Sequence, residues 1–214
     1  ALSNGMADAV AAAASSVVQV QGRRSPASGL AYAADVVVTT VRALGRDDGL
    51  KVRGGDGAAY DAELAGWDPT TTLAVLRVAG LGATPATPAA AAPRVGQIAL
   101  AVGRSWSNVV SASAGIVSVI GGPLRTGHRR AIDQIFRTTA PMHDGCAGGA
   151  FVDTSGTLLG IATSTEIRGT RVIIPASIAW STVASVLEHD SLERGYLGVA
   201  CQAVRLPDRQ RSGD

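Results

Sequence analysis

Lysine is almost missing from this sequence: Lys51 stands alone against 18 arginines. Cysteine is scarce too. Cys146 and Cys201 are the only two, too few for a disulfide framework, although one bridge between them stays open. Aromatic residues make up 4% of the 214 residues and charged residues 17%. Set against a hydrophobic content of 46%, so little charge excludes an intrinsically disordered chain and leaves enough apolar material for a sizeable core. The net charge is +2 and the pI is 8.8. No run of arginines concentrates that charge, which argues against an electrostatic nucleic-acid binder. No apolar run reaches 18 residues, so no helix is expected to span a membrane. The opening ALSNGMADAV lacks a basic region and a cleavage site and does not read as a signal peptide. Because the chain starts at Ala1 rather than Met, a targeting or anchoring segment upstream is compatible with it.

What is present is mostly strand-like. After an alanine-rich, helix-prone segment (1–16), apolar runs of β type occur at Val17–Val20, Val36–Thr40, Leu50–Arg53, Tyr60–Ala65 and Leu73–Val78. Turn-formers such as GRDDG, GGDG and WDPT separate them. Short strands at such spacing predict an all-β sandwich or barrel over 17–82. The proline-rich stretch ATPATPAAAAP (83–93) reads as a linker between two units. Strand-like runs resume at Gln97–Val102, Ala114–Ile120, Gln134–Thr138, Ala150–Asp153, Thr157–Thr163 and Arg171–Ile174, which predicts a second β-unit over 94–175. Ile178, Val183, Val186 and Leu187 then recur at helical spacing, so a helix is expected over 176–193. Arg194 to Val204 returns to strand chemistry before a polar tail, as the start of a further domain over 194–214.

The stretch richest in chemistry is Thr138 to Ser164. Within it, Gly145-Cys146-Ala147-Gly148-Gly149 has the form G-x-A-G-G. That is one residue from G-x-S-G-G, the nucleophile loop of trypsin-like proteases. Glycines there allow a tight turn that aims backbone N–H groups at one point, as an oxyanion hole does.

Further motifs follow in order. Val37-Val38-Thr39-Thr40-Val41-Arg42 resembles a strand V-x-T-x-x-H. Asp68-Pro69-Thr70-Thr71-Thr72-Leu73-Ala74-Val75-Leu76 resembles D-P-x-x-D-L-A-V-L. Arg94-Val95-Gly96, Ala101-Val102-Gly103, Ala114-Gly115-Ile116-Val117-Ser118, Ile174-Pro175 and Arg194-Gly195-Tyr196-Leu197-Gly198 complete the series. On these motifs, over about residues 15–204, the chain resembles the HtrA/Deg family of trypsin-like serine proteases. The resemblance implies a trypsin-like double β-barrel with a C-terminal helix, followed by the start of a PDZ-like domain. It also implies a location outside the cytoplasm, in a bacterial periplasm or cell envelope. A homo-oligomer is compatible with it, although no clear aromatic assembly motif stands at the N-terminus.

The family's catalytic residues do not carry over. The histidine position holds Arg42, the aspartate position Thr72 and the serine position Ala147. Alanine has no nucleophilic atom, and arginine keeps its proton and cannot act as a general base. Threonine offers no charge to orient a base. The expectation is therefore a protein without protease activity that needs no cofactor or metal and binds a peptide or protein partner. Two sets of residues are expected to take part. One is an oxyanion-hole remnant at Gly145, Cys146 and Ala147. The other is a peptide-binding groove along Ile161, Ala162, Thr163 and Ser164, entered by strand addition. Arg42 would either attract a carboxylate into the cleft or close the cleft against a nearby acid.

Two alternatives rest on other residues. Cys146 with His143 as base would make an unconventional protease. The same pair is also the start of a metal site, but two ligands are fewer than the three or four that zinc takes. His128, in the basic stretch Arg125 to Arg130, reads as part of a solvated loop, and His189 as a residue of the helix end.

Overall fold

Valine- and leucine-rich segments broken by glycine, aspartate and proline form 15 strands in the computed structural model. It describes residues 2–22, 26–45, 49–104, 106–127 and 130–189, and only the backbone of Gly127 and Asp144. The expectations for His128, Cys201 and the PDZ-like entry at Arg194 lie outside the described residues.

Strands β1 (Val17–Gln21), β2 (Ala27–Ala33), β3 (Val36–Thr40), β4 (Lys51–Arg53), β5 (Ala59–Asp61), β6 (Glu63–Trp67) and β7 (Leu73–Arg77) build one antiparallel sheet. Its order is β5-β4-β1-β2-β3-β7-β6. The two end strands are not paired to each other among the described residues, so this unit is a half-barrel. The second unit closes. Strands β8 (Ile98–Arg104), β9 (Val110–Gly121), β12 (Ile135–Thr138), β13 (Ala150–Val152), β14 (Leu158–Ile167) and β15 (Thr170–Pro175) form a barrel in the order β12-β15-β14-β13-β8-β9. A hairpin of β10 (Leu124–Gly127) and β11 (Arg130–Ile132) stands apart from it.

Three α-helices stand beside the strands among the described residues. α1 (Leu2–Ala14) buries Ala9 and Ala13 in one core with Leu30 of β2, Leu100 of β8 and Val152 of β13. α2 (Val41–Leu44) is a single turn after β3. α3 (Ala176–Glu188) follows Pro175, which has no N–H to leave unpaired at a helix start. It buries Ala176, Ala179 and Val183 in that same core.

The segment 83–93 is a strap bonded to both units rather than a free linker. Ala83 and Ala86 donate to the carbonyls of Ala34 and Ala31, and Ala89 donates to Leu158. Leu158 in turn donates to Thr87. Proline and alanine supply the extended, narrow backbone that this contact needs.

Candidate functional site

The site lies where the end of β3, the β6–β7 turn and the loop between β12 and β13 meet. Backbone bonds make the meeting. Val41 N–H donates to Thr72 O at 2.9 Å and Ser28 N–H donates to Ala147 O at 3.0 Å. Arg42 follows Val41 on α2 and its side chain is exposed. It finds no acidic partner among the described residues. The family's histidine and aspartate positions, as the motifs align them, are thus neighbours through the backbone whatever their side chains.

Thr72 holds φ at +58°, a left-handed conformation that a β-branched residue enters only at a cost. The turn before it enforces that conformation. Asp68 accepts the N–H and the hydroxyl of Thr71 on Oδ2, at 2.7 and 2.8 Å. Its carbonyl accepts Thr72 N–H at 2.8 Å. The Asp68 carboxylate is therefore engaged in the turn.

The loop before β13 is seated by a glycine. Gly148 has φ +85°, and a Cβ there would run into the carbonyl oxygen of Ser28 and lie 2.6 Å from Thr39 Oγ1. Ser28 clasps the loop again through its hydroxyl, which donates to Gly145 O at 2.7 Å. The same hydroxyl oxygen accepts the N–H of Arg104 at 2.9 Å.

Within the loop, Asp144–Cys146 form a 3-10 turn. Cys146 N–H donates to His143 O at 3.0 Å. Gly145 N–H, expected as a donor of the oxyanion-hole remnant, is turned to the His143 ring and donates to Nδ1 at 3.1 Å. In this conformation the Gly145 N–H is taken up by the ring and is not an open donor.

The Cys146–His143 pair does come together, with Sγ 3.5 Å from Nε2. It is not arranged as nucleophile and base. Nδ1 accepts the Gly145 amide, so the proton of the neutral ring sits on Nε2, facing the sulfur, and Nε2 has no lone pair to take the thiol proton. Cys146 is 5% exposed. Burial pushes its thiol pKa up, against smaller opposing effects of Ser111, His143 and Arg171. Among the described residues no three His, Cys, Asp or Glu side chains gather where they could hold a metal.

The groove expectation also needs correction. Ile161 and Ala162 are 0% and 1% exposed, and β14 pairs there with β13 on one side and β15 on the other. Ala162 gives its N–H to Gly149 O and receives Gly148 N–H on its carbonyl. No peptide backbone can add to them, because a closed barrel has no edge at that point. The pairing with β15 breaks only between Ala162 and Glu166, so the stretch of β14 not paired there with β15 is Thr163–Thr165. Part of that is held internally. Thr163 Oγ1 donates to Val172 O and accepts Thr165 N–H.

The residue that sequence reasoning missed is Arg171. Its guanidinium donates to Ser164 O at 2.9 Å and to Met142 O at 3.1 Å, and lies 3.7 Å from the Glu166 carboxylate. It ties the start of the loop to the groove strand. The cross-strand pairing of Arg171 with Glu166 arises from strand register, which nothing local in the sequence marks.

Comparison with known proteins agrees with this frame. The family described as "Trypsin-like peptidase domain" matches residues 27–161. Serine endoprotease DegS of Escherichia coli strain K12 is 28% identical over 189 residues, covering 83% of this chain and 52% of DegS. A probable periplasmic serine endoprotease, DegP-like, of Brucella suis is 32% identical over 182 residues, covering 78% of this chain and 34% of that protein. The chain thus spans about half the length of DegS and a third of the DegP-like protein. The crystal structure of the serine endoprotease from Yersinia pestis superposes with a TM-score of 0.75 at 26% identity, covering 86% of this chain and 66% of that one. With a family match across more than half of its length and the strand order described above, the chain belongs to the trypsin-like peptidases of the HtrA/Deg type.

Proposed function

We propose that this chain is a catalytically inactive member of its family, a pseudoprotease that binds a peptide or protein segment. The observation that carries the reading is the identity of three residues, Arg42, Thr72 and Ala147, at the aligned positions of base, orienting acid and nucleophile. Removing all three from a working serine protease lowers kcat by about 10⁶-fold. The remainder, on the order of 10³ to 10⁴ over water, is too little for useful peptide hydrolysis. Arg171, Ser164 and the 3-10 turn leave Thr163–Thr165 as the place where an extended segment could dock by main-chain hydrogen bonds. A location outside the cytoplasm and a PDZ-like domain after the described residues belong to the same proposal. The printed description of the DegP-like relative as periplasmic supports the first, and the R-G-Y-L-G stretch at Arg194–Gly198 supports the second.

The test is incubation with a fluorophore-quenched unfolded protein and with activity probes for serine and cysteine nucleophiles. The expected result is background hydrolysis and no labelling, in the natural chain and in A147S alone. Turnover that disappears in C146A would establish an unconventional protease instead. The triple variant R42H/T72D/A147S supplies nucleophile, base and orienter together and is the form in which hydrolysis is expected.

A further inference from the structure

A cavity of about 270 Å³ opens between the end of α1, the strap 83–93 and the turn from β13 to β14. None of the residues that line it belongs to the site described above. Its inner wall is apolar and comes from both units: Leu30 of β2, Ala150 and Val152 of β13 and Leu158 of β14, all buried. Thr84 and Thr87 of the strap stand exposed at its rim. The strap bonds to the two units through the N–H groups of Ala83, Ala86 and Ala89. That spacing matches the three-residue turn of an extended proline-type helix and leaves the two threonines on another face. Among the described residues, no side chain lining the cavity carries a charge. The last carbonyls of α1 are spent: Ala12 O accepts the Ser15 hydroxyl, Ala13 O accepts Ser16 N–H and Ala14 O accepts Arg104 Nη2. Asp153, beside the turn, accepts the N–H groups of Ser155 and Thr157 on Oδ1.

One polar group in the wall is left over. Ser16 lines the cavity and is 6% exposed. Its N–H donates to Ala13 O and its carbonyl accepts Ala31 N–H at 2.8 Å, but its hydroxyl has no partner among the described residues. The oxygen is not sealed in the interior, so what exposure it keeps is to the cavity that Ser16 lines. Buried hydroxyls are normally hydrogen-bonded. A buried water needs two to four polar partners, and the inner wall supplies one. We infer that the cavity is a second binding site, which takes a compact, uncharged, mainly apolar molecule whose single hydroxyl or carbonyl group pairs with Ser16. The inference is independent of the peptide-binding reading above. Size follows from the volume: a cavity of about 150 Å³ admits benzene, so this one admits a body of roughly ten to twelve heavy atoms. The absence of charge in the walls sets the class. A charged head would shed its water against a wall that offers no counter-charge, whereas an apolar body is matched by Leu30, Val152 and Leu158. A molecule held there touches both units, the strap and α1 together, so binding requires the folded chain and raises its unfolding midpoint.

The test uses the ¹⁵N-labelled full chain, titrated by NMR with 1-adamantanol, a compact cage alcohol of that size. Its charged isosteres, 1-adamantanecarboxylate and 1-adamantylammonium, are titrated separately. The alcohol is expected to shift the amides of Ser16, Leu30, Thr87 and Leu158 saturably and to raise Tm, and the two ions to bind at least tenfold more weakly. S16A is expected to bind the alcohol about tenfold more weakly. Because it removes only an unpaired oxygen, S16A alone should unfold no earlier than the natural chain. T87F places a ring at the mouth without breaking a side-chain bond, and is expected to lose the saturable shifts while its own Tm stays unchanged. No saturable shift in the natural chain at the solubility limit of the alcohol overturns the site. Shifts that persist unchanged in T87F put the molecule elsewhere and overturn it as well. Equal binding of the three isosteres overturns the uncharged class, and undiminished binding to S16A overturns the part given to the hydroxyl.

Discussion

Arg104 is 8% exposed and has no carboxylate beside it among the described residues. Its guanidinium instead donates to three carbonyls: Nε to Val17 O at 2.6 Å, Nη1 to Asn108 O at 2.8 Å and Nη2 to Ala14 O at 3.3 Å. It thereby joins the end of α1, the start of β1 and the loop before β9, while its own N–H supports the Ser28 hydroxyl that clasps Gly145. Burial alone pulls its pKa down from the usual guanidinium range, yet arginine stays charged at any working pH. Truncation in R104A removes all three bonds and strands the carbonyls. Each bond to a charged group contributes about 1.5–3 kcal/mol. Counting the two short bonds in full, and discounting the long one against the relief of desolvation, the loss is about 4 kcal/mol. That is a large share of a stability of about 5–15 kcal/mol. Urea denaturation followed by tryptophan fluorescence reads it directly. R104K keeps the charge but lacks the planar fork, so it should recover less than half of the loss. If R104A unfolded within 1 kcal/mol of the natural chain, or R104K matched it, the idea that this fork braces the loop would be wrong.

Three further outcomes are expected. T72N should stabilise the fold by about 1 kcal/mol, because asparagine enters the left-handed region more readily than threonine, and should raise Tm by roughly 2–4 °C; a fall in Tm would contradict the strain at Thr72. G148A should destabilise by on the order of 4 kcal/mol, since the added methyl meets Ser28 O at positive φ; a loss below 1 kcal/mol, measured by denaturation, would mean that the loop is not seated on Ser28. Cys146 should resist iodoacetamide at pH 7.5 in the native chain and react once unfolded in urea, because burial keeps the sulfur as a thiol. The same raised pKa implies that stability falls as pH rises above about 8.5, where the unfolded thiol ionises first; rapid native labelling, read by mass spectrometry at Cys146, would refute the burial argument.

The sequence disclosed this architecture unevenly, and the physics explains where. Strands β1, β3 and β7 are dense in valine and leucine and announce themselves. β2, ASGLAYA, does not, because alanine, serine and glycine have little intrinsic preference for strands. Yet β2 is central and five of its seven residues are buried. Small residues are required there: a Cβ on Gly29 would come within 2.7 Å of Val37 Cγ1 and 2.8 Å of Val20 Cγ2. The Gly145–Gly149 loop was legible because it sits in a continuous motif. The turning of Gly145 to His143 was not, since it depends on which way one peptide faces. Nor was the burial of Ile161 and Ala162, which follows from barrel closure through β13 and β15. Arg171 read as an ordinary strand arginine for the same reason.

Frame and chemistry are separable in this molecule, and the separation has a structural cause. The contacts that join positions 41, 72 and 147 to the frame are made by main-chain atoms: Val41 N–H to Thr72 O and Ser28 N–H to Ala147 O, with Gly148 N–H to Ala162 O beside them. Main-chain bonds tolerate any side chain that fits. The side chains of Arg42 and Thr72 are exposed, so changing them disturbs no core, and Ala147 is smaller than the serine its position calls for. On the proposed alignment, replacing a triad at these three positions would cost the fold little while removing each atom that proton transfer and nucleophilic attack need. Thr72 shows this most clearly. Its backbone holds a left-handed conformation that suits aspartate better than threonine, which agrees with the proposal that this position once held an acid. A fold match, however good, consequently carries no information about catalysis in this protein. Activity has to be argued from the atoms at positions 42, 72 and 147, and binding from the loop and strand that surround them.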